Sequence, residues 1–290
     1  MKKIVILGCE NSHASQFLSF IRDRQEFSDI EVVGVYSDDT EAAKKLGETY
    51  GVPVLANYAD KVGEVDGVVV TARHGDNHLK YARPYINSGV PMFIDKPITV
   101  SESEAVEMMR LFRENGVRFT GGSSLKHDAS VGKLRAEHRD SEGGRTVGGL
   151  VRAPYQSENP YGGFFFYAQH LVEMVMEIFG RFPLSVLARR TGGQLSVRFD
   201  YGEFDCYGLF VDGNYKYWVE RMSESGNTGY VSVSVDNDWF VKEFSEFYDI
   251  LVGGEQRVDA REFIAPVFVM NAIARSLESG KDETVSVPEV

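Results

Sequence analysis

Ile4-Val5-Ile6-Leu7-Gly8-Cys9-Glu10-Asn11-Ser12-His13 sets a short apolar run directly against a glycine and a polar turn. Ile4 to Leu7 reads as a buried first strand. Ala14, Phe17, Leu18 and Ile21 then recur at the i, i+3, i+4, i+7 spacing that lays one apolar stripe along a helix. The alternation continues outward. Ile30–Tyr36 reads as a strand, Thr40–Tyr50 as a helix, Val52–Leu55 as a short strand and Gly67–Thr71 as a central one. His78–Asn87 is again helical and Pro91–Asp95 a strand. Ser101 and Glu104 form a capping box above Ala105, Met108, Met109 and Phe112, with Asn115-Gly116 as the stop. Strands alternating with helices are the signature of βαβ units and a parallel sheet, so residues 1–120 are expected to form a doubly wound α/β domain of nucleotide-binding type.

The pattern changes at Gly121-Gly122-Ser123-Ser124, and a polar run from Glu137 to Gly149 closes a helix-like segment. After a further helix marked by Leu171, Met174, Val175 and Ile178, alternating strands are expected at Leu195–Asp200, Asp205–Val211, Tyr215–Arg221 and Tyr230–Val235. Asp212-Gly213-Asn214 predicts a hairpin between two of them. Period-two strands imply an open, mainly antiparallel sheet with one face exposed, so residues 121–290 are expected to form a separate α+β domain. Two helices end the chain, one striped by Phe240, Phe244, Phe247 and Leu251, the other running Asp259–Ser279 with Pro266 inside it.

A chain of 290 residues suits two domains of ordinary size, and 43% hydrophobic with 26% charged residues excludes wholesale disorder. With 43 acidic against 31 basic residues the net charge is -12, and no local basic patch offsets it, so neither nucleic acid nor a membrane surface is an expected partner. Apolar runs such as Ile4–Leu7 and Phe263–Ile273 fall short of the roughly 20 residues that cross a bilayer. Met1-Lys2-Lys3 ahead of Cys9 superficially suggests a lipoprotein signal, but the apolar part is shorter than a secretory core of about 7 to 15 residues, and a cytoplasmic protein is expected. Cys9 and Cys206 stand alone, without metal-ligand spacing or a disulfide framework, which fits a reducing compartment. His13, His74 and His78 form no recognised ligand motif, and no metal is expected.

Where a dinucleotide fold has G-x-G-x-x-G, the loop after the first strand keeps Gly8 alone. Glu10 stands where backbone usually approaches a pyrophosphate. Two unit charges about 5 Å apart repel by roughly 3 kcal/mol at an effective dielectric near 20, which unpaired would weaken binding by around two decades. Asn11, Ser12 and the helix N-terminus can still donate to phosphate. At the end of the second strand, Asp38 suits a free ribose 2′-hydroxyl while Ser37 leaves space for a 2′-phosphate, so the sequence leaves NAD and NADP both open.

Thr71-Ala72-Arg73-His74-Gly75-Asp76-Asn77-His78 is followed, eighteen residues after His78, by Lys96 within Asp95-Lys96-Pro97. These segments, with Gly89, with Gly162-Gly163 through His170 to Gly180, and with Ala272 to Gly280, resemble the Gfo/Idh/MocA oxidoreductases across essentially the whole chain. The resemblance implies a Rossmann-type domain carrying NAD or NADP and a second domain whose open sheet faces a small carbohydrate-like substrate and often a partner subunit. Lys96 would hydrogen-bond the reacting hydroxyl and His170 would remove its proton, with hydride passing to the nicotinamide. Gly8, Asn11, Ser12, His13, Ser37, Asp38, Thr71, His74, His78 and Asp95 would line the cofactor. The chain departs from the family where an Asp is usual four residues before the histidine: Phe166 stands there, and Tyr167 is the nearest polar substitute. The expected activity is hydride transfer between nicotinamide and a hydroxyl-bearing carbon of a sugar, polyol or inositol-like compound, in a homo-oligomer (dimer or tetramer). The alternatives are a ligand-binding sensor on the same fold and NAD-assisted glycoside cleavage.

Overall fold

Ile4, Val5, Ile6 and Leu7 are fully buried in β1 (Lys2–Leu7), which is why that strand carries no apolar-polar alternation. The computed structural model describes residues 1–230 and 238–290. One unit comprises Met1–Gly122, Phe240–Ala260 and Val290, the other Ser123–Trp239 and Arg261–Glu289.

In the first unit β1 is followed by α1 (Ser12–Asp23), β2 (Ile30–Tyr36), α2 (Thr40–Tyr50), β3 (Gly67–Val70), α3 (Asp76–Ile86), β4 (Met92–Asp95), α4 (Glu102–Glu114) and β5 (Phe119–Gly122). The five strands are parallel in the order β2-β1-β3-β4-β5, a Rossmann-type doubly wound sheet whose order reverses between β1 and β3. One expectation needs correction. Val52–Leu55 is not a strand but an isolated bridge from Val54 to Val35, held where Val35 donates to the Pro53 carbonyl and Leu55 to the Val35 carbonyl, each at 2.9 Å. Pro53 has no N–H to extend that ladder. Gly121-Gly122 end β5, and the first unit's leading segment ends with them, inside the glycine-serine stretch where the pattern changes. At Gly121 φ is +135° and a Cβ would lie 1.9 Å from the Ile94 carbonyl oxygen, so only glycine lets β5 close on β4. The capping box is half formed: Ser101 accepts from the Glu104 amide at 3.3 Å, but Glu104 accepts from the Thr99 hydroxyl at 2.8 Å.

The second unit contains α5 (Ala129–Arg139), β6 (Thr146–Tyr155), α6 (Phe165–Phe179), β7 (Ser185–Thr191), β8 (Gln194–Asp200), β9 (Asp205–Asp212), β10 (Trp218–Ser223) and β11 (Gly226–Tyr230). α7 (Asp238–Leu251) then returns the chain to the first unit, and α8 (Ala260–Ser279) and β12 (Glu283–Thr284) complete the second. The sheet order is β11-β10-β6-β9-β8-β7-β12, antiparallel except for β6 with β9. The expected hairpin at Asp212-Gly213-Asn214 is therefore overturned. The chain does turn at Gly213, with φ +64°, but β9 and β10 both pair with β6, which lies between them. β6 itself lay hidden because its start, Thr146 to Gly149, is polar and glycine-rich. Most of the strand expected from Tyr230 to Val235 falls outside the described residues.

The aromatic stripe of α7 explains its place in the first unit. Phe244 and Phe247 are fully buried beside Phe17, Phe27 and Phe93, in a core that also takes Ile4, Ile6, Val35 and Val69. Replacing Gly121 by alanine should destabilise the first unit by about 2–5 kcal/mol, combining a left-handed backbone with a main-chain clash. Urea denaturation of Gly121→Ala against wild type measures it; a loss under about 1 kcal/mol would show that β5 can shift away from β4.

Candidate functional site

Ligands of open α/β sheets bind outside the carboxyl ends of the strands, and in the first unit those ends carry most of the residues singled out above. Gly8 leaves β1 with φ +105°, and a Cβ there would sit 2.1 Å from the Ala72 nitrogen, so the loops after β1 and β3 touch main chain to main chain. Thr71, fully buried, fixes that contact by donating its hydroxyl to the Gly8 carbonyl at 2.6 Å.

Glu10 is paired. Its carboxylate accepts from the Ser37 hydroxyl at 2.5 Å and from the Arg73 amide at 2.9 Å, clasping the loops that follow β1, β2 and β3. Its charge is thus answered within the chain, the condition under which the expected penalty against a nearby phosphate is relieved. Ser37 is buried by this clasp, and it also accepts from the Asp39 amide at 3.2 Å. Asp38 is exposed and accepts from the Tyr36 phenol at 2.7 Å and the Lys80 ammonium at 2.9 Å. Ser12 is exposed on the first turn of α1, a helix with no side-chain cap. Asn11, at the cap position, turns its amide away to Asp95 at 2.6 Å, leaving the first amides of α1 without a side-chain acceptor.

The other residues expected along a cofactor lie deeper. His78 is fully buried, with its ring nitrogens 2.8 Å from the Ala72 carbonyl and 3.1 Å from the Ile98 carbonyl, so it ties together the loops after β3 and β4. Burial pushes its pKa down to about 4. His74 is half-buried, and its Nδ1 accepts from the Asp76 amide at 3.3 Å. His13 and Asp95 are buried against each other, His13 Nδ1 standing 3.2 Å from Asp95 Oδ2, and Glu243 of α7 lies 3.3 Å from His13 Nε2. Asp95 Oδ1 also accepts from the Lys96 amide at 2.6 Å. Lys96 is only 4% exposed. Burial lowers its pKa, with Asp95 and Glu243 opposing and Arg73 assisting that shift.

In the second unit, His170 lies on α6 and is buried. Its Nδ1 is 2.6 Å from the Ser123 hydroxyl, and the Ser123 amide donates to Glu173 at 2.9 Å, one turn further along α6. Glu173 also accepts from Gln169 and stands 3.4 Å from the Lys126 ammonium. The imidazole is therefore held from its Nδ1 side by a hydroxyl that is itself held through its own amide. Tyr167 is half-buried, its ring 5.9 Å from that of His170 and 5.8 Å from that of Tyr215. Phe166 is buried between Tyr161 and Tyr167.

Ser123 and Glu243 were not singled out from sequence. Ser123 lay in a glycine-serine stretch with nothing to distinguish it. Glu243 did carry a signal: it falls three residues after Phe240 and four before Phe247, on the buried stripe of its helix, where a carboxylate needs a partner.

Residues 2–123 match the model of the oxidoreductase family with an NAD-binding Rossmann fold. No curated protein matches the chain by sequence. Among solved structures it is similar to a myo-inositol dehydrogenase from Corynebacterium glutamicum, at 15% identity over 99% of this chain and 100% of that one, with a TM-score of 0.82. It is similar also to scyllo-inositol dehydrogenase from Lactobacillus casei with bound NAD(H) and scyllo-inositol, at 14% identity over 98% and 99%, TM-score 0.84. A third is the WlbA dehydrogenase from Chromobacterium violaceum in complex with NADH and UDP-GlcNAcA, at 14% identity over 99% and 97%, TM-score 0.81. At these identities the likeness is one of fold.

Replacing Glu10 by alanine should remove both halves of the clasp and cost about 1–3 kcal/mol of stability, with Ser37→Ala costing less. In a double-mutant cycle by urea denaturation the two losses should be markedly non-additive; strict additivity would mean that Glu10 and Ser37 do not act together.

Proposed function

We propose, from the match of residues 2–123 to the Gfo/Idh/MocA oxidoreductase family with its NAD-binding Rossmann fold, an NAD(P)-dependent dehydrogenase of a sugar, polyol or inositol-like substrate. The observation that carries this reading is Lys96: an ammonium side chain almost wholly buried at the carboxyl end of a parallel strand, where a solvated lysine has no reason to lie.

The first unit fits a dinucleotide. The amides of α1 left without a side-chain acceptor, the close turn at Gly8 and the hydrogen-bonded Glu10 favour a pyrophosphate there, with Ser12 a further donor. Asp38 offers a carboxylate for ribose. His74 borders the same loops. Asn11, His13, Ser37, Thr71, His78 and Asp95 shape the crevice from beneath, through the contacts described. Bound there, NAD(P) supplies the hydride acceptor. Lys96 donates a hydrogen bond to the substrate hydroxyl and stabilises the alkoxide character that develops as the carbon is oxidised. His170 takes the hydroxyl proton, with Ser123 on Nδ1 leaving that exchange to Nε2. The Tyr167 phenol serves as a further hydrogen-bonding group to substrate. The cytoplasm and a homo-oligomeric state complete the proposal, the latter because Val147 and Tyr207 of the second sheet are exposed.

Phe166 favours keeping a second reading, a sensor that binds the same ligands without turnover, because it supplies no carboxylate near His170. One set of measurements separates the two. NADH and NADPH binding by calorimetry, with a spectrophotometric screen over inositols, sugars and sugar acids, should show binding and turnover. Lys96→Ala and His170→Ala should each lower kcat by roughly 10²–10⁴ while NADH still binds. Activity that survives both substitutions rejects these roles; binding without turnover on any substrate favours the sensor; no binding at millimolar dinucleotide rejects both.

A further inference from the structure

Glu10 belongs to the turn between β1 and α1, yet both of its hydrogen bonds reach sideways, to the ends of β2 and β3. Oε2 accepts from the Ser37 hydroxyl at 2.5 Å and Oε1 from the Arg73 amide at 2.9 Å. Both donors are neutral, and among the described residues no cation pairs with Glu10, so these bonds steady the carboxylate without cancelling its charge. The charge is thereby held beside the turn Ser37-Asp38-Asp39.

In a doubly wound sheet the adenosine ribose lies at that turn. A 2′-phosphate on it adds a charge of about −1.5 to −2, which needs donors around it. Those of the turn are already committed. Ser37 has one hydroxyl proton, given to Glu10, and its oxygen accepts from the Asp39 amide at 3.2 Å. The Lys80 ammonium is taken by Asp38 at 2.9 Å and lies over the Tyr81 ring, 5.2 Å from its centroid. The Arg73 guanidinium lies by Lys96, whose pKa burial lowers and Arg73 helps to lower, at the end of β4 and so on the far side of β1 and β3 from β2. Asp39 adds a further carboxylate, which caps α2 by accepting from the Ala42 amide at 3.0 Å.

We propose that Glu10 is a specificity-determining residue, which makes the site take NAD(H) and refuse NADP(H), by its charge and by holding the Ser37 proton. A free 2′-hydroxyl is neutral and donates to Asp38. A 2′-phosphate faces the Glu10 and Asp39 carboxylates and finds the serine donor spent. Burial first, and then the charges of Glu10 and Asp39, push the Cys9 thiol up to about 12, so the field beside this turn already opposes a new anion. Glu10 thus takes the place of a loop glycine and gives the loop a second task, discrimination at the far end of the adenosine. The assignment rests on the dinucleotide site proposed above and goes beyond it in naming the dinucleotide refused and the residue that refuses it.

Calorimetric titration of the full chain with NADH and NADPH tests it. NADH should bind about 100-fold more tightly than NADPH. In Glu10→Gln the amide oxygen still accepts from the Arg73 amide, while the NH₂ group donates to Ser37 Oγ and frees its proton. The ratio should then fall to about 10-fold or less, through tighter binding of NADPH. Equal affinities in the wild type, a preference for NADPH, or a ratio unmoved in Glu10→Gln overturns the assignment and leaves the dinucleotide site standing. Binding of neither dinucleotide overturns the site, and this inference with it. Should Glu10→Gln not fold, two fragments that differ only in the 2′-phosphate decide on the wild type, read by the fluorescence of bound NADH. At equal concentration 5′-AMP should displace NADH and 2′,5′-ADP should not; displacement by 2′,5′-ADP as effective as by 5′-AMP overturns the selection.

Discussion

A carboxylate at the end of a fully buried strand must have its charge answered inside the protein, and around Asp95 that requirement organises the upper edge of the parallel sheet. Asp95 has no exposed surface. Desolvating an unpaired carboxylate costs several kcal/mol even after relaxation, so each of its oxygens takes a donor from a different loop. The Asn11 amide comes from the turn after β1 and the Lys96 amide from its own loop, while the His13 ring of α1 stands 3.2 Å away. Since Asn11 is spent on Asp95, it does not cap α1, and the first amides of that helix are left without a side-chain acceptor. One buried charge thus fixes the loop, empties the cap and holds the lysine.

Glu10 obeys the same rule with a different outcome. Placed where a glycine would let backbone meet phosphate, it becomes tolerable because Ser37 and Arg73 answer it from the ends of the two neighbouring strands. The glycine's task of bringing the loops together passes to a hydrogen-bonded clasp, while Gly8 remains where a Cβ would strike the main chain of Ala72. A degenerate motif is in this way compatible with an intact fold: what the pattern loses in conformational freedom returns as a specific side-chain contact.

The strands and helices legible in sequence were those whose burial is one-sided or total. β2 and α2 fall at the expected residues because β-branched runs and a 3.6-residue stripe leave few alternatives. Pairing was another matter. Asp212-Gly213-Asn214 turns the chain as its residues require, yet a turn dictates only local direction. Which strand lies alongside is decided by β6, whose glycines let Phe179 pack directly on the strand at Gly149. β5 was hidden for a related reason, since Gly121 and Gly122 carry no side chain from which burial could be read, although the absence of one is what the strand needs.

The same distinction separates the two halves of the candidate site. Lys96 and His170 could be named from spacing because each is a single residue type at a fixed distance from a glycine or proline. Their supports could not. Ser123 reaches His170 across forty-seven positions of sequence and Glu243 reaches His13 across more than two hundred, through contacts that exist only once α6 and α7 are packed. A buried polar side chain on an apolar helical stripe is nonetheless a signal of its own. Glu243 occupies a position where Phe or Leu would add core, and a carboxylate is retained in such a place only where something opposite it needs a charge or a proton. Read from that side, the apolar faces of helices can disclose the supporting groups of a site through their exceptions.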